Sequence, residues 1–208
     1  MTPLKELLVD ELQDLLSAEN QIAGALPKMV EAANNSKLKE SFQKHLDQTQ
    51  NHVIRLKNAL QLLGEDTKSQ PCKGMKGILD EGQELIDDND DIDELTADLA
   101  LIGAAQKVEH YEITSYGTAR CLAKKIGERE VALLLSHTLG EEEASDFLLT
   151  ALAESLLQQA LSEQIGNGTK APWGEPGPTK SPSGDELTQK ARAAVAGISH
   201  FKTKKTKS

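Results

Sequence analysis

The segment GEDTKSQPCKGM, Gly64–Met75, decides how the rest of the chain is read. With Gly64, Pro71 and Gly74 and no helical period of apolar residues, it reads as a loop. The sequence on both sides of it is helical. Upstream, Leu4, Leu8, Leu12, Leu15, Ile22, Leu26, Met29, Val30 and Ala33 recur at steps of three and four, with one gap at residues 18–19. Thr2 stands as an N-cap before Pro3, with Glu6 close behind. Asn34-Asn35-Ser36 reads as a turn, with Ser36 capping a second helix that runs to Leu63 and stops at Gly64. Pro27 lies inside the first helix and is expected to kink or break it. Downstream, a short amphipathic helix spans roughly Ile78–Ile86. The acidic run DDNDD then makes a poor helix interior but a good helix start. A third long helix runs from about Ile92 to Ile126 and ends at Gly127. A fourth runs from about Glu128 to Ile165 and ends at Gly166.

The chain is therefore two long αα-hairpins joined by a crossover. Counted from Gly64 to the start of the third long helix, the crossover is near 30 residues, too long for an up-and-down bundle with short loops. The expected fold is all-α, a ferritin-like four-helix bundle over residues 1–166 whose crossover carries one short helix. Composition agrees: aromatics make up only 3% of the 208 residues, whereas sandwiches and barrels favour aromatic and β-branched residues. Residues 167–208 are rich in Pro, Gly, Ser and Lys and read as a mostly disordered tail, with Asp185–Ile198 able to form one short helix.

The net charge of −10 is unevenly spread. From Asn167 onward, eight Lys and Arg face three Asp and Glu, giving +5; the first 166 residues carry fifteen against thirty, giving −15. Such a body does not favour nucleic acid or an anionic membrane. The basic tail offers a weak signal for an acidic partner and is more simply a solvated end. No apolar run approaches the ~18 residues of a membrane span. The N-terminus carries acids within its apolar pattern, unlike a signal peptide. Two cysteines without a CxxC spacing suit a reduced, cytoplasmic protein. Of these, Cys72 lies in the loop and Cys121 is expected to pack.

Each long helix breaks its apolar stripe with polar residues. The first does so at Glu19. The second, which has Leu38, Phe42, Leu56 and Ala59 on its stripe, does so at His45, Thr49 and His52, with Gln48 beside them. The third does so at Glu109 and Glu112, and the fourth at Glu142, Ser145 and Asp146. An unpartnered buried carboxylate costs several kcal/mol or takes up a proton. Counting from the turns tests whether these breaks share a level. Glu19 is sixteen residues before residue 35 and His52 seventeen after it; Glu109 is eighteen before residue 127, Glu142 fifteen after and Asp146 nineteen after. At ~1.5 Å per residue, the members of each hairpin lie side by side. His45 is about 9 Å from that level along the axis. The set Glu19, His52, Glu109, Glu142 and Asp146, with Gln48, Glu112 and His45 as weaker members, offers oxygen donors and imidazole. It suits iron or manganese better than zinc. The other reading is a buried hydrogen-bond network with no metal.

LLSAENQIAGALPKM (Leu15–Met29), KHLDQTQNH (Lys44–His52), AAQKVEHYEITSYG (Ala104–Gly117) and TLGEEEASD (Thr138–Asp146) resemble the YciE/YciF-like family of bacterial stress-induced, ferritin-like proteins. The resemblance runs from about Leu4 to Ile165, and KVEHYEI is its most specific part. It implies a ferritin-like bundle related to rubrerythrin, a homodimer, and a role in stress responses. It also brings a departure into view. Ferritin-like di-iron sites draw a Glu from each of two helices and a Glu-x-x-His from each of the other two. Here the second helix has Thr49 three residues before His52, and Gln48 where the family often has Glu. The fourth helix offers Glu142, Glu143 and Asp146 without a His. One ion, a weakened pair and an empty polar layer all stay open.

Two functions compete. The first is a di-iron-type oxidoreductase or peroxidase-like protein that handles iron, oxygen or peroxide, with Tyr111 and Tyr116 near the layer. The second is a non-catalytic dimeric stress protein whose polar layer is structural. His110, about 100° around the helix from Glu109, is expected at the surface or behind the ligands.

Overall fold

The computed structural model describes residues 2–87 and 92–166. These form five helices: α1 (Pro3–Ala32), α2 (Ser36–Leu62), α3 (Lys73–Asp87), α4 (Glu94–Ile126) and α5 (Arg129–Gly166). The described residues contain no strand, and no helix among them is long and apolar enough to cross a membrane. A compact unit covers Met1–Ala160. Of the second unit, Leu161–Ser208, only residues 161–166 are described, so the expected tail and its Asp185–Ile198 helix lie outside the described residues.

The helix ends follow local chemistry. The Thr2 hydroxyl accepts from the Lys5 amide at 3.4 Å, with Pro3 in the first turn. Asn35, not Ser36, caps α2. Its backbone is extended, and its side-chain oxygen accepts from the amides of Lys37 and Leu38 at 2.9 and 3.2 Å, while Ser36 is already helical. α2 stops at Gly64 (φ 78°) and α4 at Gly127 (φ 90°), left-handed positions where a side chain would be strained. α4 starts two residues later than expected, because Asp93 takes the N-cap and accepts from the Thr96 amide at 3.0 Å. The chain does not break at Pro27, since α1 continues through it to Ala32.

The crossover helix begins five residues earlier than its apolar period suggests. Tertiary contacts set this start: the Cys72 amide donates to Ser17 Oγ at 3.0 Å and its carbonyl accepts from Gln21 Nε2 at 3.1 Å, while locally its sulfur accepts from the Met75 amide at 3.4 Å. Next to it, a Cβ on Gly74 would lie 2.9 Å from Cε2 of Tyr111, so the missing side chain lets α3 approach the ring. α3 lies against both α1 and α4. Cys121, expected to pack, is exposed.

Two apolar clusters divide the bundle lengthwise. One holds Leu8, Leu12, Leu15, Leu56, Tyr116 and Leu135; the other holds Ile22, Leu26, Phe42, Met75, Ile102 and Leu149. The polar breaks of α2, α4 and α5 fall in sequence between these clusters, and Glu19 of α1 falls where that helix passes from the first to the second, so the bundle has a polar waist with apolar packing above and below.

Asp98, 3% exposed on α4, clamps the α1–α2 turn by accepting from the amides of Asn34 and Asn35, both at 2.7 Å. Asp98→Ala strands two backbone donors and is expected to cost ~1–3 kcal/mol, read as a lower thermal midpoint. An unchanged midpoint would show that water replaces the clamp.

Candidate metal centre

The waist is built by helical spacing. On α2, His45, Thr49 and His52 lie at steps of four and three and so share a face. On α4, Glu109, Glu112 and Tyr116 do the same at three and four, and on α5 Glu142 and Ser145 are three apart. Glu19 joins them from α1. Glu19, Glu109, Glu112 and Glu142 are each at most 2% exposed. Their carboxylates and the two imidazoles form two candidate ligand groups. One is Glu19, His52 and Glu142; the other is His45, Glu109, Glu112 and Glu142. In each group one donor atom per residue lies within 4.8 Å of the others, and Glu142 belongs to both.

His52 organises the first group. Its Nδ1 lies 2.8 Å from Glu142 Oε1 and 3.2 Å from Glu19 Oε1, and its Nε2 lies 2.9 Å from Glu141 Oε2. Arg55 grips the same Glu141, with Nη2 donating to Oε1 at 3.1 Å. An ionised carboxylate can only accept, so the Nε2 proton belongs to the Glu141 contact. Nδ1, in contrast, makes no well-aligned hydrogen bond despite its two close carboxylates. When neutral, the ring therefore presents the Nδ1 lone pair to Glu19 and Glu142. A carboxylate behind a histidine is the usual means of fixing the tautomer of a metal ligand. Tyr116 closes the group by donating its hydroxyl to Glu19 Oε1.

The second group is looser. His45 Nε2 lies 3.5 Å from Glu109 Oε1 and its Nδ1 4.0 Å from Glu142 Oε2, while Ser145 Oγ donates to Glu109 Oε1 at 2.8 Å. Six buried carboxylate oxygens lack a hydrogen-bond partner among the described residues: Glu19 Oε2, Glu109 Oε2, and both oxygens of Glu112 and of Glu142. Thr49 Oγ1 and His45 Nε2 share that condition. Hydrogen bonds alone do not satisfy this layer.

Electrostatics make the same point. Burial pulls the basicity of His52 down, but the Glu142 and Glu19 carboxylates close to Nδ1 outweigh it and raise its pKa to about 10. Burial raises Glu109 to about 8. It also raises Glu112 well above the carboxylate range, helped by the charges of Glu142, Glu19 and Glu109. Glu142 is raised too, because burial and the Glu19 charge exceed what His52 gives back. His45 moves the other way, lowered chiefly by burial. Without a cation, the layer is balanced by protons.

Among the residues expected from sequence, Glu19, His52, Glu109 and Glu142 come together. The weaker candidates Glu112 and His45 are full members of the cluster. His45 was set apart by its axial distance, but its ring centre lies only 6.5 Å from that of His52, and Glu109 and Glu142 reach it from the facing helices. Asp146 is not brought in. It points to the bundle's outer side, where it accepts from Gln106 Nε2 at 2.9 Å and lies 3.4 Å from Nε2 of the exposed His110. A step of four from Glu142 carried it past the inward face that Ser145 occupies. Gln48 is half-buried and Glu143 lies outside both groups. Arg55 and Glu141 were missed. Their signal was an Arg three residues after His52, level with a Glu adjacent to Glu142.

The sign of the pH dependence follows from these shifts. The folded metal-free chain holds an extra proton on Glu109 between the ordinary 4.5 and about 8, and on His52 between the ordinary 6.5 and about 10. The stability contributed by each is present below the lower value and lost as pH rises through the window. With a chelator present, the thermal midpoint is expected to fall steadily from pH 5 to pH 9. In Glu109→Gln the decline between pH 5 and pH 8 should be shallower but not absent, because burial also raises Glu112 and Glu142. A wild-type profile that rises over this range would contradict the proton-balanced layer.

The comparisons with known proteins agree with this architecture. The family described as Domain of unknown function (DUF892) matches residues 3–162. Protein YciF of Escherichia coli K12 is 40% identical over 154 residues, 74% of this chain and 92% of its own length. The crystal structure of the Escherichia coli stress protein YciF superposes with a TM-score of 0.72 at 38% identity, covering 76% of this chain and 99% of that one. YcfI from Rhodopseudomonas palustris superposes with a TM-score of 0.68 at 34% identity, covering 72% and 94%. A Xanthomonas campestris protein at 24% identity shares the fold, with a TM-score of 0.60 over 79% of this chain and 99% of its own. On residues 3–162 and on this level of identity, the chain belongs to the DUF892 family of YciF-like helical-bundle proteins.

Proposed function

We propose that the waist is a metal centre for iron or manganese, and that the protein acts in a stress response by handling iron, oxygen or peroxide. One observation carries this reading: six unpartnered carboxylate oxygens surround histidine nitrogens that also lack partners, all in the buried interior. Hard oxygen donors with imidazole are the ligand chemistry of these two metals. Bound iron would supply one-electron redox chemistry toward dioxygen or peroxide.

The chain's own residues supply the rest. Glu19, His52 and Glu142 would hold one ion, and His45, Glu109, Glu112 and Glu142 a second, with Glu142 common to both. His45 and Glu112 thus offset the absence of a Glu-x-x-His on α2. The Arg55–Glu141 pair keeps Nε2 of His52 protonated. Loading an ion must displace the Nδ1 proton, so affinity rises with pH. In this reading the chain is a cytoplasmic homodimer; the free thiols of Cys72 and Cys121 suit a reducing compartment.

The competing reading, a non-catalytic protein with a structural polar layer, rests on the raised Glu109 and Glu112. Protons alone can neutralise the waist. Metal content after anaerobic Fe(II) loading and desalting separates the two. Wild type is expected to keep about two irons per chain. Glu142→Ala should retain almost none, because it removes a ligand from both groups, whereas Asp146→Ala should match wild type. If wild type keeps neither iron nor manganese, the metal reading fails and the proton-balanced layer stands.

A further inference from the structure

We propose that the His45–Glu109 end of the waist is served by an apolar, gas-sized cavity, and that the reactant it admits is dioxygen rather than peroxide or an anion. The reactive half of this statement rests on the metal reading above; the binding half does not.

The cavity is walled by Ile22, Leu26, Phe42, Val108 and Leu149, with Ser41 as a polar wall residue, and floored by His45, Glu109 and Ser145. About 20 Å³ of it is open to the centre of a water-sized molecule. One water needs roughly 10–15 Å³ by that measure, so the space holds a molecule of one or two heavy atoms. A second cavity of about 30 Å³ lies between α1, α3 and α4, with Gln83 as its one polar lining residue. The two share Ala25, Met29, Leu79 and Val108, so they are neighbours separated by single side chains. Together they mark a route that passes under the crossover helix and reaches the floor, where His45 Nε2 and Glu109 Oε2 are buried without partners.

The lining selects by chemistry. A hydrated cation or an anion would give up its water with nothing to replace it, at a cost of many kcal/mol. Hydrogen peroxide, with two donors and two acceptors, would find polar lining residues only at Gln83, at Ser41 and at the floor, and mostly apolar walls on the way. An uncharged diatomic loses almost nothing on entry, and apolar cavities accept such gases. Ions must therefore reach the waist by a different path from the gas.

Xenon reports on the route without any metal. In crystals of the full chain under xenon pressure, anomalous density is expected beside Leu149 and Val108 in the wild type, and none at the inner position in Ala105→Leu, whose larger side chain fills it. Leu149→Phe is the second blocking variant should Ala105→Leu fold poorly. After iron loading, the blocked variant should keep its iron while oxidation by dissolved oxygen slows at least about fivefold, a ~1 kcal/mol rise in the barrier. Wild-type crystals without xenon would overturn the proposal, as would an unchanged oxygen rate in a variant that has lost its xenon site. Xenon bound in a wild-type chain that retains no iron would overturn the metal centre and leave the gas site standing.

Discussion

Four carboxylates buried among two imidazoles are the constraint to which the rest of the bundle answers. Glu19, Glu109, Glu112 and Glu142 are each at most 2% exposed, and within their groups the ligand atoms crowd to within 4.8 Å. Four ionised acids would leave a large uncompensated charge where water cannot screen it. Protonated His52 supplies one positive charge, and His45, its basicity lowered by burial, does not readily supply another. The remaining charge must be removed by protons or met by cations. Either answer makes the waist the place where the chain is least content with its own side chains, at the level where the apolar packing is interrupted on four helices at once.

That arrangement does little for stability by itself. Replacing a buried ionic cluster with apolar residues of similar volume is often neutral or stabilising. The chain could have continued its leucine stripes through residues 19, 52, 109 and 142 and joined its two apolar clusters into one. It instead surrounds the layer with devices that make sense only if the geometry matters. The Arg55–Glu141 pair stands behind Nε2 of His52, Tyr116 donates to Glu19, and Ser145 donates to Glu109. The first holds the far nitrogen of His52 and leaves Nδ1 facing the layer, an arrangement usual behind a metal-binding histidine, while the other two each bind one oxygen of a carboxylate and leave its second oxygen without a partner.

Much of this was legible from spacing. Periods of three and four fix which residues share a helix face, and residue counts from a turn fix their depth. Those two rules place Glu19 beside His52 and Glu109 beside Glu142 before any coordinates are known; that the two pairs meet comes from the bundle fold, not from spacing. The rules fail in azimuth. Asp146 and Ser145 differ by about 100° around α5, and the acid rather than the hydroxyl looked like the ligand on chemical type alone. Depth misjudged His45 because carboxylate side chains reach several ångströms along the axis and close the gap that backbone rise predicts. Arg55 and Glu141 are half-exposed, and in a helix an Arg and a Glu ordinarily signify a solvated face. Their role is defined by what lies behind His52, which no periodicity encodes. The early start of α3 was hidden for a similar reason, being set by Ser17, Gln21 and Tyr111 from other helices rather than by its own apolar pattern.

The crossover also bears on why the waist is buried. A connection of this length could run over the surface, but here α3 is pinned at Cys72 to α1 and abuts α4 at Gly74, against a tyrosine that lies between Glu109 and Glu112 in sequence. The pin fixes the position of α3 relative to the helices that carry the ligands, and it sets Leu79 over the seam beside Ala25, Met29 and Val108. If that seam were open, water would reach His45 and Glu109, the local dielectric would rise, and the carboxylates could ionise in solvent without a cation. A buried, mostly apolar seam keeps unpaired charge costly, so a bound cation or a set of held protons has to do what bulk water would otherwise do. The crossover that distinguishes this bundle from a simple up-and-down one is thus also the element that keeps its polar waist demanding.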